Sequence, residues 1–433
     1  MTIKNNFYQK FGFLPYYLVL SSIFLNVVGS FLNFSFHRVI LLATIGILFI
    51  IIFFRVGHLF IIKSHFIIIG LLSLVTIVDL VKGYGLKYFS FSHFIVYTFI
   101  FFQIFMISNI KYDSIINMVF KIYKILIISI FIEAIIVIIG YQELLDSLFI
   151  NVNSITSGYK SYHNRMAEYF GLSIGGLNSP IMGTQIASQL TVICMFLFAP
   201  IYQKTINHYN YLKNPMLLTI LSLSLFIFSP TMTGNLMFII TLMIFIYIFP
   251  RNRLKNKINF VLVPLILLLL FPLIKKYGFG VLESGYMFQY YWTTFTSPLI
   301  IFFNLPINYI LFGFPELLSL RSVTLFNEFG FARLFYVLGF VYVAILTATP
   351  FYLFITSLRI KYDSNEKELN SWIWIRQINL LIIIIFMISL FHYVVLFRLG
   401  VVQLIGFHYA VSTYAKIKIN RLLKSENNNI LIT

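Results

Sequence analysis

Long uninterrupted hydrophobic segments recur along this chain, separated by shorter polar segments. They lack the alternation of a half-buried strand, and about 20 apolar helical residues cross a bilayer core about 30 Å thick. The sequence therefore predicts an all-α polytopic membrane protein, one transmembrane domain over residues 1–433 with about 12 transmembrane helices. The predicted spans are Leu14–Phe31, Val39–Phe54, His65–Val81, Phe89–Ser108, Ile122–Gly140, Ile181–Tyr202, Pro215–Ser229, Gly234–Phe249, Ile258–Ile274, Arg333–Leu358, Ile373–Leu396 and Gly400–Ala415.

The composition of the chain favours the same class. Of its 433 residues 60% are hydrophobic and only 10% are charged, whereas a soluble domain has about 25% charged residues. The net charge of +18 would favour nucleic-acid binding in a soluble protein. In a membrane protein the same excess follows from the positive-inside rule. The single cysteine, Cys194, precludes an intramolecular disulfide.

The positive charges fall mainly in alternate gaps between the spans. Lys4 and Lys10 precede a first span without a small-residue cleavage site, which predicts a retained signal anchor. The strongest marker is Arg251–Lys257, with four cations in seven residues. This layout predicts cytoplasmic N- and C-termini, with a frayed tail from Lys416 onward. It places two long loops, residues 141–180 and 275–332, on the outer side.

The first outer loop combines an arginine, a histidine and a glycine-containing turn. It contains His163 and Arg165, then Gly176-Leu-Asn178-Ser-Pro180. Arg165 offers a fixed fork of N–H donors that suits a diphosphate, and Asn178–Pro180 is typical of a turn. The alternatives are an Arg165 that binds lipid phosphate or closes the loop. His163 is a candidate general base, or an incidental loop histidine.

The second outer loop ends in a cluster of charges where the chain re-enters the membrane. Arg321, Glu328 and Arg333 lie within thirteen positions. Charges at a membrane surface are costly unless they are paired or used. Glu328 is a candidate general base for a sugar hydroxyl, and the alternative is a structural ion pair with Arg333. Nearby tyrosines either stack on sugar rings or belong to the interfacial aromatic belt.

Polar residues within the spans have structural explanations. Glu133 lies inside a predicted span, where a pairing role with Arg398 or Lys160 is as good an explanation as a functional one. The sequence has no Walker motif and no His/Cys cluster with metal-ligand spacing. No metal and no other cofactor is therefore expected, and a metal-dependent nucleotide-sugar transferase is disfavoured.

The pattern resembles the Wzy-type O-antigen polymerases and, more distantly, the O-antigen ligase superfamily. The resemblance covers nearly the whole chain as topology, about twelve spans with two enlarged periplasmic loops. Arg165, ten residues and Gly176 match an Arg-x10-Gly pattern of this family, and the turn at Asn178 is similar to its Gly-Asn-Pro turn. The ligase-like His-Asn pair is absent, with Phe326-Asn327 in its place.

The second loop carries the rest of the resemblance. Leu-Phe-Gly313, then Asn327-Glu328-Phe-Gly330 and a span containing Gly339 are similar in layout. The resemblance implies the fold of the polyprenyl-using, GT-C-like glycosyltransferases. It implies diphosphate binding by the three loop arginines already named, with Gly176 and Asn178 in the substrate loop. Either Glu328 or His163 then takes the proton from the acceptor sugar hydroxyl.

The implied reaction joins oligosaccharide repeat units that are carried on undecaprenyl diphosphate, at the periplasmic face of a bacterial inner membrane. The implied partners are that lipid-linked oligosaccharide, membrane lipid, and possible chain-length regulator and flippase proteins, and nucleic acid is not expected. Two alternatives stay open: a lipid-linked oligosaccharide flippase or transporter, and an O-antigen ligase. A transporter would concentrate polar groups near the midplane of the bilayer.

Overall fold

The computed structural model describes residues 46, 98, 101–103, 105–106, 112–138, 193–194, 197, 241, 296, 299–313, 330–360, 367–389 and 399–430. The regular structure in this part of the chain is helical. Five helices are labelled here: α1 is Tyr112–Ile138, α2 is Ile307–Phe312, α3 is Gly330–Leu358, α4 is Lys367–Ser389 and α5 is Leu399–Ile430. The class predicted from the sequence, all-α, is confirmed for these residues.

Within the described part of the chain, two helical segments are long and apolar enough to cross a membrane. They are Gly339–Leu358 in α3, with 20 residues, and Lys367–Ser389, which is the whole of α4, with 23 residues. At 1.5 Å per residue both reach about 30 Å, the thickness of a bilayer core. The predicted count of spans concerns residues that lie mostly outside the described part.

Helix α4 lies at the centre of the described bundle. It is buried along nearly its whole length, as expected for a helix surrounded by protein. It packs antiparallel to α5. The Trp372 and Tyr414 ring centroids lie 5.6 Å apart, and further along α4 Asn379 contacts His408, which is earlier in α5. On another side the Gln377 amide donates to the Ser357 carbonyl of α3 at 3.2 Å.

The antiparallel packing gathers basic residues at one end of the bundle. The end of α3, the start of α4 and the end of α5 meet there. The basic residues of these three segments are Arg359, Lys367, Arg376, Lys416, Lys418, Arg421 and Lys424. This shared end agrees with the charge layout of the sequence, which assigns all of them to the same side.

Two helices begin earlier than the spans that were predicted from hydropathy. Helix α1 begins at Tyr112, ten residues before the predicted start, and α4 begins at Lys367, six residues before it. The added turns of α4 are polar, whereas those of α1 include buried apolar residues such as Ile115 and Phe120. Asp113 and Glu368 lie in the favourable first turns of the two helices. The predicted spans therefore mark only part of each helix.

The predicted frayed tail from Lys416 is wrong. Helix α5 continues to Ile430, because its apolar face continues: Ile419 is fully buried. The Lys418 ammonium lies 5.5 Å from the centroid of the Tyr414 ring, one turn earlier. The long side chains of Lys, Arg and Leu in this segment also favour helix.

The second predicted outer loop also contains helix. Residues 299–303 and α2 are helical, and α3 begins at Gly330, three residues before the predicted span. Phe302 packs against Phe335 and Tyr336 of α3, with ring centroids 5.4 and 5.3 Å apart. These residues and Ala332 form a small apolar core that fixes residues 299–313 on the first part of α3.

Candidate functional site

Helix α3 is broken at Gly339. This residue has φ 78° and ψ 166°, so it leaves the helical conformation between residues 330–338 and 340–358. Glycine alone populates this region readily, because a Cβ atom would be strained there. A broken helix at membrane depth needs other partners for the backbone groups that it frees.

The break is held against the backbone that follows α2. A Cβ atom on Gly339 would lie 2.2 Å from the Leu311 carbonyl oxygen and 2.6 Å from the Gly313 nitrogen. Gly313 itself has φ 80°, and its N–H donates to the Tyr309 carbonyl at 2.8 Å. Two glycines 26 positions apart in the sequence therefore meet at one junction, which we call the Gly313–Gly339 junction.

Arg333 is the one sequence-predicted site residue within the described part of the chain. It belongs to α3, six residues before the break, or about 9 Å along the helix axis. Its side chain lies outside the described part. The other predicted site residues also lie outside it: Glu328, His163, Arg165, Arg321, Gly176 and Asn178. Their convergence on one cavity stays a prediction.

A second group of polar side chains lies inside the bundle, on α1, α4 and α5. His408 is fully buried, and its Nδ1 lies 2.7 Å from Oδ1 of Asn379. The Asn379 amide donates to the Ile375 carbonyl at 2.7 Å, so its oxygen faces the histidine. The His408 Nδ1–H therefore donates, and its Nε2 accepts the hydrogen bond from the Tyr123 hydroxyl.

The cysteine lies next to this hydrogen-bonded chain. The Cys194 thiol is near the Tyr123 hydroxyl, and both residues are fully buried. Phe101 packs edge-on against Phe407, next to His408, with ring centroids 5.6 Å apart. Neutral forms of Tyr123, His408 and Asn379 satisfy these hydrogen bonds, so the three side chains link three helices without burying a charge. We call Tyr123, His408 and Asn379 the buried polar chain.

The buried polar chain is not among the sequence-based predictions. Among the polar residues of the spans these single out Glu133, and its side chain lies outside the described part. The available signal was the presence of Asn379 and His408 inside segments that are otherwise apolar, since polar residues in spans mark functional or linking positions. Cys194 entered only as a residue that has no disulfide partner in the sequence.

The charges near this chain are positive. Arg376, one turn before Asn379, is buried with only 5% of its surface exposed. Lys416 is exposed, and its pKa is lowered, first by burial of part of its side chain and then by the positive charge of Arg376. Asp113 and Glu368 are the carboxylates whose side chains are described, and both are exposed. The described residues contain no group of three His, Cys, Asp or Glu side chains that would hold a metal ion.

Comparison with protein-family models, with curated proteins and with solved structures finds no match for this chain. The function is therefore argued from the residues and from the geometry of the described helices.

Proposed function

We propose that this chain is an integral membrane glycosyltransferase that polymerises oligosaccharide repeat units carried on undecaprenyl diphosphate. In this proposal it crosses the bacterial inner membrane about 12 times, each span being about 20 residues. Both termini are cytoplasmic, and the two long loops meet the substrate at the periplasmic face. The product is an O-antigen or another surface polysaccharide.

The observation that carries the proposal is the Gly313–Gly339 junction. Both glycines belong to the second-loop layout that resembles the polymerases, and they are in contact although 26 positions separate them. The junction fixes residues 299–313 beside the first part of α3, which carries Arg333. A broken helix at the membrane surface also offers backbone N–H groups to an anionic ligand.

The proposed chemistry uses a leaving group that is already activated. A hydroxyl of the acceptor sugar attacks the anomeric carbon of the donor, and the bond from that carbon to the diphosphate oxygen breaks. Arg165, Arg321 and Arg333 stabilise the negative charge that develops on the undecaprenyl diphosphate, so no metal ion is required. Glu328 takes the hydroxyl proton, and His163 is the alternative base.

A flippase or transporter is the second candidate function, and two structural features favour it. Discontinuous helices and polar groups within the spans are both typical of transporters. The break at Gly339 and the buried polar chain supply one instance of each. The polymerase remains the first proposal because the break coincides with the second-loop layout that resembles polymerases.

The glycan of a deletion strain separates these candidates. Loss of a polymerase leaves the surface lipid with a single repeat unit, because export and ligation still operate. Loss of a flippase or a ligase leaves core lipid without any repeat unit. A single-repeat band, restored to a ladder by the wild-type gene, supports the proposal, and a band of bare core contradicts it.

A further inference from the structure

Arg376 lies in the interface between α4 and α5. Trp372 and Asn379 are one turn away on either side, so the three residues share one face of α4. Trp372 contacts Tyr414 and Asn379 contacts His408, which shows that this face is turned toward α5. Only 5% of the surface of Arg376 is exposed, so most of this side chain is buried beside α5.

The residues of α5 level with the Cα atom of Arg376 are apolar. In the two contacts just described, the residue numbers on α4 and α5 add up to 786 and 787. This sum stays nearly constant along an antiparallel pair, so Arg376 lies level with Ala410 and Val411, which are both buried. Asp113 and Glu368, the carboxylates whose side chains are described, are both exposed. A largely buried cation is unfavourable in a low-dielectric interior unless it is paired.

A second cation approaches the same point from α5. Lys416 lies about 8 Å further along the axis, toward the basic end of the bundle. Because Cα–Cβ bonds tilt toward the N-terminus of a helix, the antiparallel arrangement makes Arg376 and Lys416 lean toward each other. The lowered pKa of Lys416 has Arg376 among its causes. Two cations that repel each other, one of them largely buried, are a pair that an anion between them would stabilise.

We propose that Arg376 and Lys416 form a binding site for a phosphate group at the basic end of the α4–α5 pair, and that the phosphate belongs to the head group of an anionic membrane lipid. The planar fork of Arg376 matches two phosphate oxygens, and Lys416 supplies a point charge to the same group. Basic pockets between transmembrane helices are known to take phospholipid head groups on the cytoplasmic side. This inference goes beyond the proposed function, and it does not depend on glycosyl transfer.

The test compares the thermal unfolding of the full chain in phosphatidylcholine nanodiscs with and without a minor fraction of phosphatidylglycerol. A ligand that binds only the folded state raises the unfolding midpoint. We expect phosphatidylglycerol to raise the wild-type midpoint, and Arg376→Gln and Lys416→Gln each to lose most of that rise. Loss of one charge-assisted hydrogen bond should weaken lipid affinity at least about tenfold.

Lys424→Gln is the matched control, because it removes the same charge from the same helix at an exposed position two turns further on. It should keep the wild-type rise. Equal rises in all variants would overturn the site, and so would an equal loss in Lys424→Gln, which would indicate diffuse attraction to the membrane surface. If Arg376→Gln does not fold, Lys416→Gln decides the question alone.

A third arm identifies the source of the phosphate. Inorganic phosphate is added to protein in pure phosphatidylcholine discs, against chloride at matched ionic strength. No rise is expected. A rise that depends on Arg376 and equals that of phosphatidylglycerol would contradict the lipid assignment and make the ligand a soluble phosphate. The proposed polymerase activity is not measured in any arm, so its failure would leave this result unchanged.

Discussion

Replacing Gly339 by alanine tests whether the break in α3 is built into the fold. The substitution adds one methyl group where the backbone has φ 78° and ψ 166°. A non-glycine residue in this region is strained by about 1–3 kcal/mol. The new Cβ atom would also lie 2.2 Å from the Leu311 carbonyl oxygen, so the backbone before Gly313 must move away.

Overpacking of this kind costs about 1–3 kcal/mol, since backbone rather than a flexible side chain has to yield. If the segment became continuous helix, alanine would recover about 1 kcal/mol relative to glycine. The net expectation for Gly339→Ala is a loss of roughly 1–5 kcal/mol in the free energy of unfolding. We also expect loss of polymer, because the junction positions the residues next to α3.

The matched control is Gly46→Ala. Gly46 is helical, and a Cβ atom added there would have nothing within 4 Å. Alanine in a helix is favoured over glycine by about 0.5–1 kcal/mol, so this variant should be as stable as the wild type or slightly more stable. The two variants add the same methyl group, and they differ in the backbone conformation of the site and in what that group meets.

The assay uses the single, fully buried cysteine of the chain. Cys194 reacts with a fluorogenic maleimide only after the bundle opens, so the reaction during a temperature ramp reports unfolding. Gly339→Ala should react at a temperature several degrees below the wild type, and Gly46→Ala should not. Identical profiles for Gly339→Ala and the wild type would refute the close approach of Leu311 to Gly339.

Four further predictions follow from the sequence and the buried polar chain. Tyr123→Phe leaves Nε2 of His408 without this donor and should lower the free energy of unfolding by about 1–2 kcal/mol, as read by the same thiol assay. An unchanged profile would show that the Tyr123–His408 hydrogen bond does not stabilise the fold. Arg165→Lys should reduce polymer in glycan gels about as much as Arg165→Ala, because a point charge cannot replace a bidentate fork; full activity of the lysine variant would limit Arg165 to charge balance. Glu328→Gln, inserted normally, should make only single-repeat glycan, and unchanged polymer would make Glu328 structural. A phosphatase fusion after Lys257 should be inactive, and high activity would overturn the topology.

Helix class could be predicted from the sequence because long apolar segments have few alternatives in lipid. Helix ends could not, since hydropathy stops at the apolar boundary. The turns before Ile122 and Ile373 are helical, and α5 continues past Ala415 because Ile419 still packs. These extensions depend on which neighbour lies beside each turn, and one chain read alone does not reveal neighbours.

The candidate site could likewise be predicted only in part from the sequence. Gly313 and Gly339 stand out in the sequence by residue type, but their contact depends on residues 299–313 folding back onto α3. Arg376 reads as an ordinary positive charge near the start of a span. Its side chain becomes buried only when α5 packs on the face of α4 that also carries Trp372 and Asn379.

We propose that this chain joins lipid-linked repeat units, and the purified protein can be tested for this directly. It is incubated in liposomes, with a metal chelator, with single repeat units linked to undecaprenyl diphosphate, and the products are identified by mass spectrometry. We expect lipid-linked chains of two or more repeats together with an equivalent release of undecaprenyl diphosphate. Repeat units that cross the bilayer and remain single would contradict the polymerase and favour the transporter.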